Sequence, residues 1–187
     1  LFAFGANIWR TNTCQMTADV KKDGLFYELK TNLPAAPGCE IHVNLYEPLA
    51  FHQLDSAVED ITKLCRYVDM ELVLNGKRIN QSPAQEKWDE VSDLAYLRYK
   101  SSTTYTAGLD VYMQGVYVES IPAHEFGLSG TIILRRPVKL NFARNQVIRS
   151  CKHWQRAVAC LRTTGVEHAK KKTKLSASEA MNMLTLF

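Results

Sequence analysis

The chain has no apolar run approaching the roughly 18 to 20 residues that a membrane-crossing helix needs, and no basic-then-apolar leader at its start. These absences predict a soluble, unexported, cytoplasmic chain without a membrane span. Cys-x-x-Cys spacing is also missing. The five cysteines, Cys14, Cys39, Cys65, Cys151 and Cys160, are odd in number, so neither a zinc ribbon nor a disulfide framework is signalled. They read as reduced, mostly packing sulfurs. The five histidines, His42, His52, His124, His153 and His168, fall on different elements with no paired spacing, which argues against a metal site. There is no Gly-x-Ser-x-Gly elbow, no P-loop and no Cys–His pairing, so the sequence does not support an independent hydrolase. Internal repeats are absent, and the only biased tract is a lysine cluster near the C-terminus.

What is present is ordinary globular usage: 187 residues, 46% apolar and 22% charged, enough to bury a core. The chain opens at Leu1 inside a strand-like run rather than at a methionine, and reads as a fragment, a processed chain or a chain whose start is missing. Its net charge of +4 conceals an asymmetry. Between Arg135 and Lys174 there are twelve Lys or Arg against the single acid Glu167, a net of +11, which leaves −7 for the remainder. Such a region suits nucleic acid, the phosphates of a nucleotide or an acidic partner. It equally suits a helix with a solvated basic face followed by a loose tail.

Alternating runs at 14–20 and 25–30 flank Lys21-Lys-Asp-Gly24 and predict a hairpin. After a Pro- and Gly-rich break, Cys39–Tyr46 alternates again as a third strand, with Ile41, Val43 and Leu45 on one side. The period then changes: Leu54, Ala57, Val58, Ile61, Leu64, Cys65 and Val68 recur at helical spacing. Residues 70–74 predict a strand turning at Asn75-Gly76 into a second hairpin, and a polar connection at 81–90 with Pro83 has room for a helical turn. Strands follow at 93–100, 109–113, 116–121 and 131–135, rich in Val, Ile, Tyr and Leu. From Asn145, the residues Val147, Cys151, Trp154, Val158 and Leu161 predict a helix packed on the sheet, with Gly165 as its stop. A basic linker then leads to Ser176-Ala-Ser-Glu179, which fits a capping box before a short amphipathic helix through Met183, Leu184 and Phe187. Strand runs broken by single long helices define an α+β chain with a mostly antiparallel sheet.

The segment with most chemical content is Leu140-Asn-Phe-Ala-Arg144, predicted to leave a strand and enter a helix. A helix start presents unpaired N–H groups and partial positive charge, and Arg144 adds a forked donor suited to phosphate oxygens, with Asn141 or Asn145 as cap. A plain cap beside a surface arginine is the simpler reading of the same pattern. Tyr96, Tyr99, Tyr105, Tyr112 and Tyr117 offer either a stacking platform for single-stranded nucleic acid or the filling of one side of a sheet.

The Leu-Asn-x-x-Arg segment resembles that of the middle domain in the large heat-shock chaperones of the GHKL ATPase superfamily. The upstream order agrees over roughly residues 3 to 163: a segment like the one after the ATP lid, a hairpin, a Gly-led strand at Gly38-Cys39-Glu40-Ile41, an amphipathic helix and Asn75-Gly76. Phage rIIA-type proteins and MutL-type transducers are similar in layout. The resemblance implies that residues 1–48 are the closing strands of a GHKL (Bergerat) nucleotide domain. It also implies that 49–165 form a transducer-like domain, an antiparallel or mixed sheet with two main helices, and that 166–187 are a basic linker with a short helix.

By position, Arg144 becomes the sensor of the ATP γ-phosphate and Asn141 its loop support, while Gly38 and Cys39 fall near the adenine region. Cys39 stands where the family has a threonine, and Ile148 where the chaperones carry a glutamine. The family's magnesium-bearing asparagine helix, Asp-x-Gly-x-Gly loop and glycine-rich lid are not in this sequence. ATP and Mg2+ are therefore expected only in a complete protein with an N-terminal GHKL module, with a homodimer as a further partner, and no activity is expected of this chain alone. Two alternatives from other classes stand beside it. One is a nucleic-acid-binding module using Arg149, Lys152, Arg156, Lys170, Lys171 and Lys172, and the other is a non-catalytic interaction scaffold.

Overall fold

A computed structural model describes residues 2–100, 108–171, 176–177 and 180–181. The chain is α+β and divides into two compact units, Leu1–Asp55 and Ser56–Phe187, each taken here by itself. Among the described residues no helix is long and apolar enough to cross a membrane.

The first unit is a four-stranded antiparallel sheet of β1 (Gly5–Asn12), β2 (Cys14–Ala18), β3 (Tyr27–Lys30) and β4 (Ala36–Leu45), in the order β3-β2-β1-β4. The predicted hairpin exists as β2 and β3, but one helical turn, α1 (Val20–Asp23), joins them instead of a tight turn. Asp19 caps it by accepting from the Lys22 N–H at 3.1 Å, and Gly24 leaves it at a φ of 64°. The Tyr46 hydroxyl donates to the same carboxylate at 2.7 Å. β4 pairs with the free edge of β1, so the third predicted strand does not neighbour the hairpin's second strand.

Register sorts this sheet into two chemistries. Residues opposite one another share a face, so Gly5, Asn7, Trp9 and Thr11 lie with Cys14, Met16, Ala18, Tyr27, Leu29, Cys39, Ile41, Val43 and Leu45. The opposite face carries Arg10, Gln15, Thr17, Glu28, Lys30, Glu40, His42 and Asn44, with Ala6 and Ile8. An antiparallel sheet patterned this way buries its apolar face against something. Yet Tyr27 is 64% exposed, Leu29 55%, Leu45 44% and Ile41 42%. On the same face the buried Asn7 Oδ1 and Trp9 Nε1 have no hydrogen-bond partner among the described residues.

α2 (Phe51–Cys65) follows the helical spacing read in the sequence, although none of its residues is buried. Its last turns belong to the second unit, where Lys63 meets Asp110 at 3.8 Å and lies over the Tyr117 ring. A small hairpin of β5 (Val73–Leu74) and β6 (Lys77–Arg78) turns at Asn75 and Gly76, both left-handed at φ of 51° and 76°, as a two-residue hairpin loop requires. The expected strand at 70–74 is thus only two residues long, and the expected helical turn in the following connection is a 3-10 turn at Pro83–Gln85.

The main sheet comprises β7 (Glu90–Val91), β8 (Ala95–Tyr99), β9 (Gly108–Met113), β10 (Val116–Pro122) and β11 (Gly130–Leu134), in the order β10-β9-β11-β8-β7. All pairs are antiparallel except β9 with β11. One face packs Leu97, Leu109, Val111, Ile132 and Leu134 against Trp154, Ala157 and Leu161 of α3 (Lys152–Lys171). Trp154 also meets Phe126 edge-on at 6.3 Å. Burial of each such large side chain contributes about 1.5–3 kcal/mol.

The other face holds Tyr112, Ile133 and Tyr67 as a buried group flanked by Trp88, Tyr96 and Tyr117. Tyr112 is buried edge-on to Tyr67 at 4.8 Å, so it packs on the sheet and is not a stacking surface. Tyr99 faces the α3 side and donates to Glu90, and Tyr105 lies outside the described residues. At the β9–β10 turn, Gly115 (φ 85°) takes the Tyr67 N–H on its carbonyl oxygen at 3.2 Å.

Two expectations at α3 are corrected. The helix begins at Lys152, not near Asn145, and Gly165 does not stop it, since it continues to Lys171. Gly165 is buried where a Cβ would come within 2.9 Å of Leu128 Cδ2 and 3.1 Å of the Phe126 carbonyl oxygen. Its small size lets α3 pack closely on the connection between β10 and β11. At the far end, the Ala180 N–H bonds the Ser176 carbonyl oxygen at 2.9 Å, while Ser178, Glu179, Met183, Leu184 and Phe187 lie outside the described residues.

Candidate functional site

Beyond β11 the chain crosses the end of the sheet and doubles back on itself between Lys139 and Ile148. Leu140 and Val147 form an antiparallel bridge, the Asn141 N–H donates to the Gln146 carbonyl oxygen at 2.9 Å, and the Ile148 N–H donates to that of Lys139 at 2.8 Å. The base is fastened to β10. Glu119 Oε1 accepts from the Val147 N–H at 2.7 Å, and the carboxylate receives both arms of Arg149 at 3.1 and 3.0 Å. A bidentate pair of this kind fixes direction as well as distance. Arg149 also covers the Trp154 ring at 5.3 Å.

The tip is organised by Asn141. Its Oδ1 accepts from the Asn145 N–H at 3.1 Å, its Nδ2 donates to Asn145 Oδ1 at 2.8 Å, and its carbonyl oxygen accepts from the Arg144 N–H at 3.0 Å. These bonds hold Arg144 at a φ of 58°. Three of the five non-glycine residues with left-handed backbone are asparagines, which tolerate it, and only Gln114 and Arg144 are not. The Arg144 side chain is exposed, and among the described residues it has no acceptor. Phe142 stands beside it with its ring wholly in solvent, at 106% relative exposure.

This geometry corrects part of the sequence expectation. Arg144 is not in the first turn of a helix, because seven residues separate it from Lys152, and neither Asn141 nor Asn145 caps α3. The partial charge of the helix start is directed elsewhere. Near it, the Lys139 N–H and then the Trp154 N–H point at the Cys151 sulfur and hold that buried thiol below its usual pKa.

Gly38 and Cys39 belong to the first unit. The β1–β4 register shifts between Thr11, opposite Cys39, and Asn12, opposite Ala36, so Pro37 and Gly38 form a bulge. Gly38 takes a φ of 71° there, and its carbonyl oxygen accepts from Thr11 Oγ1 at 2.9 Å. Cys39 is exposed on the apolar face.

Of the basic residues singled out, Arg149 is not free for a phosphate, being held by Glu119. Lys152, Arg156 and Lys170 recur at helical spacing along the outer stripe of α3, opposite the line of Trp154, Ala157 and Leu161, and all three are exposed. Lys171 is exposed about a quarter-turn away from that stripe. Lys172 lies outside the described residues.

Sequence reading overlooked Glu119, whose alternation marked it only as an outward residue of a strand, and Phe142, which nothing but the tertiary setting shows to be exposed. Among the described residues no group of three or more His, Cys, Asp or Glu is arranged to hold a metal ion. No protein-family model matches the chain, and no curated protein matches it.

Proposed function

We propose that this chain is the nucleotide-sensing, lid-to-transducer part of a GHKL-type ATPase, coupling ATP held by an N-terminal module to conformational change. The observation that carries the reading is Arg144: a guanidinium with no acceptor among the described residues, on a left-handed, asparagine-braced tip whose base is clamped to the sheet. A non-glycine residue in that conformation costs about 1–3 kcal/mol, and such strain tends to persist where a side chain must be aimed. Rigidity matters because a preorganised donor loses little on meeting its anion.

The apolar face of the first sheet, exposed at Tyr27, Leu29, Ile41 and Leu45, gives independent support, since strands patterned in this way belong to a larger layered domain. The residues present fit one element of a nucleotide site, a donor for phosphate oxygens, and among the described residues no group of His, Cys, Asp or Glu forms a Mg2+ ligand set. When bound, ATP would supply the phosphoryl group and the charge that Arg144 answers. The chain's own part is to donate guanidinium N–H groups to the γ-phosphate oxygens and exclude water with Phe142. Its clamped base then hands the loop's position to β10 and α3. With α3 starting eight residues later, this falls to the side chain and loop, without help from a helix end.

In the complete protein, Arg144→Ala is expected to lower ATP turnover by about 10³-fold while leaving ADP affinity nearly unchanged. Unaltered turnover refutes the assignment. A second reading, nucleic-acid binding, is favoured by the stripe of Lys152, Arg156 and Lys170. Its signature is binding that falls steeply with salt and disappears when the first two are replaced by alanine.

A further inference from the structure

A second cationic site lies in the second unit, away from the Arg144 loop in both residues and supporting elements. Its floor is the turn after α2. Asn80 is buried there, taking the Leu72 N–H on Oδ1 at 2.8 Å and donating through Nδ2 to the carbonyl oxygens of Val68 and Met70, both at 2.6 Å. The Gln81 N–H closes the same turn onto the Arg66 carbonyl oxygen at 2.9 Å. This places Arg66, at the end of α2, and Arg78, on β6, along the wall of one cleft of about 660 Å³.

The charges in that cleft do not balance. The carboxylate on its wall, Glu86, is already paired with Arg98, which also donates to the Lys87 carbonyl oxygen at 2.8 Å and covers the Trp88 ring at 4.3 Å. Among the described residues Arg78 uses only its Nε, on the Asn80 carbonyl oxygen at 3.0 Å, and neither terminal nitrogen has an acceptor. Neither Arg66 nor Arg78 has a carboxylate within ion-pair distance among the described residues. Gln81 and Gln85 add neutral amide groups to the same walls, the Gln81 Nε2 donating one of its hydrogens to the Gln85 carbonyl oxygen at 3.3 Å.

We propose that this cleft binds a small phosphorylated ligand, a phosphate ester or a diphosphate, through the guanidinium groups of Arg66 and Arg78, which line the same cavity. Two planar forks and two amides offer more donors than the two oxygens of one carboxylate can use, and they suit the three oxygens of a phosphoryl group. The cleft's volume exceeds that of one phosphate and falls in the range of ligand pockets, so an attached organic group or second phosphate has room. Its two arginines line one cavity and do not recur along an element, and this favours a compact ligand over a polymer backbone, which the outward stripe of α3 would suit better. The site is separate from the reading of Arg144 and stands or falls without it.

The test is titration of the purified chain with inorganic pyrophosphate, followed through arginine Nε–H and backbone amide NMR signals. The Arg66 and Arg78 Nε–H signals and the Gln81 amide are expected to shift together. Arg66→Ala and Arg78→Ala should each weaken the affinity at least tenfold. Both side chains are exposed, so the variants should keep the wild-type circular dichroism and melting profile. Arg144→Ala, and Lys152→Ala with Arg156→Ala, should leave the affinity unchanged. Undiminished binding in the Arg66 and Arg78 variants overturns the proposal. So does loss of binding on removal of Arg144 or the α3 cations, or the absence of any shift at millimolar pyrophosphate.

Discussion

Removing the Glu119 carboxylate tests how the Arg144 loop is held. In the wild type this side chain is only 12% exposed and serves three donors, the Val147 N–H and the two arms of Arg149. Val147 itself is buried at 4% exposure, so Glu119→Ala strands a backbone N–H that water reaches poorly. An unsatisfied buried donor costs about 1–3 kcal/mol. The ion pair adds less, because the Arg149 side chain is 48% exposed and solvent screens it, and about 0.5–1 kcal/mol is appropriate. The expected loss is therefore about 1.5–4 kcal/mol, measured as a fall in the urea midpoint at constant m value. Glu119→Gln should lose less, since its amide oxygen still accepts from Val147. Hydrogen exchange adds a local readout: the Val147 and Ile148 amides should lose protection in Glu119→Ala more than core amides such as Ile132. Arg149→Ala alone, which leaves Val147 bonded, is expected to cost under half as much. A Glu119→Ala loss below about 0.5 kcal/mol, or equal losses for the two alanine variants, refutes the view that the Val147 bond anchors the loop.

Gly115→Ala should destabilise the second unit by roughly 2–4 kcal/mol, because the residue is left-handed and a Cβ would lie 2.1 Å from the Tyr67 carbonyl oxygen, a backbone atom that cannot swing away. Chemical denaturation checks this, and a neutral substitution would mean that the β9–β10 turn does not support Tyr67. In the first unit, the Tyr46 hydroxyl holds the Asp19 carboxyl below its ordinary 3.8, with the Lys22 N–H assisting. A depressed carboxylate contributes stability that is complete above the unfolded value and is lost as pH falls through the lower folded value. Tyr46→Phe should therefore raise the Asp19 titration seen by carboxyl NMR and narrow its stability deficit below about pH 4. An unmoved Asp19 titration would show that the tyrosine does not set it.

Local chemistry by itself determined much of this protein. The period-3.6 spacing of Leu54 through Cys65 specified α2, Asn75-Gly76 specified a turn that only left-handed residues can make, and four of the five strands of the main sheet, all but β7, were readable from β-branched and aromatic runs. These signals are legible because backbone propensity and side-chain periodicity act within one element. Asn141 and Arg144 were also visible as residues of interest, from type and order.

Tertiary structure decided which strands meet, since the pairing of β4 with β1 and the parallel β9–β11 pair depend on partners far apart in the chain. It also decided where α3 begins. Val147 has the burial that helical spacing predicted, but Glu119 takes its N–H and Leu140 pairs with it, so it reaches the core from an extended bridge. Gly165 looked like a helix end and is instead a contact point against Leu128 and Phe126. Periodicity records which side chains face inward and is silent on what satisfies the backbone. The same limit hid the Arg66–Arg78 cleft, whose two guanidinium groups stand twelve residues apart and are brought together by a buried asparagine side chain.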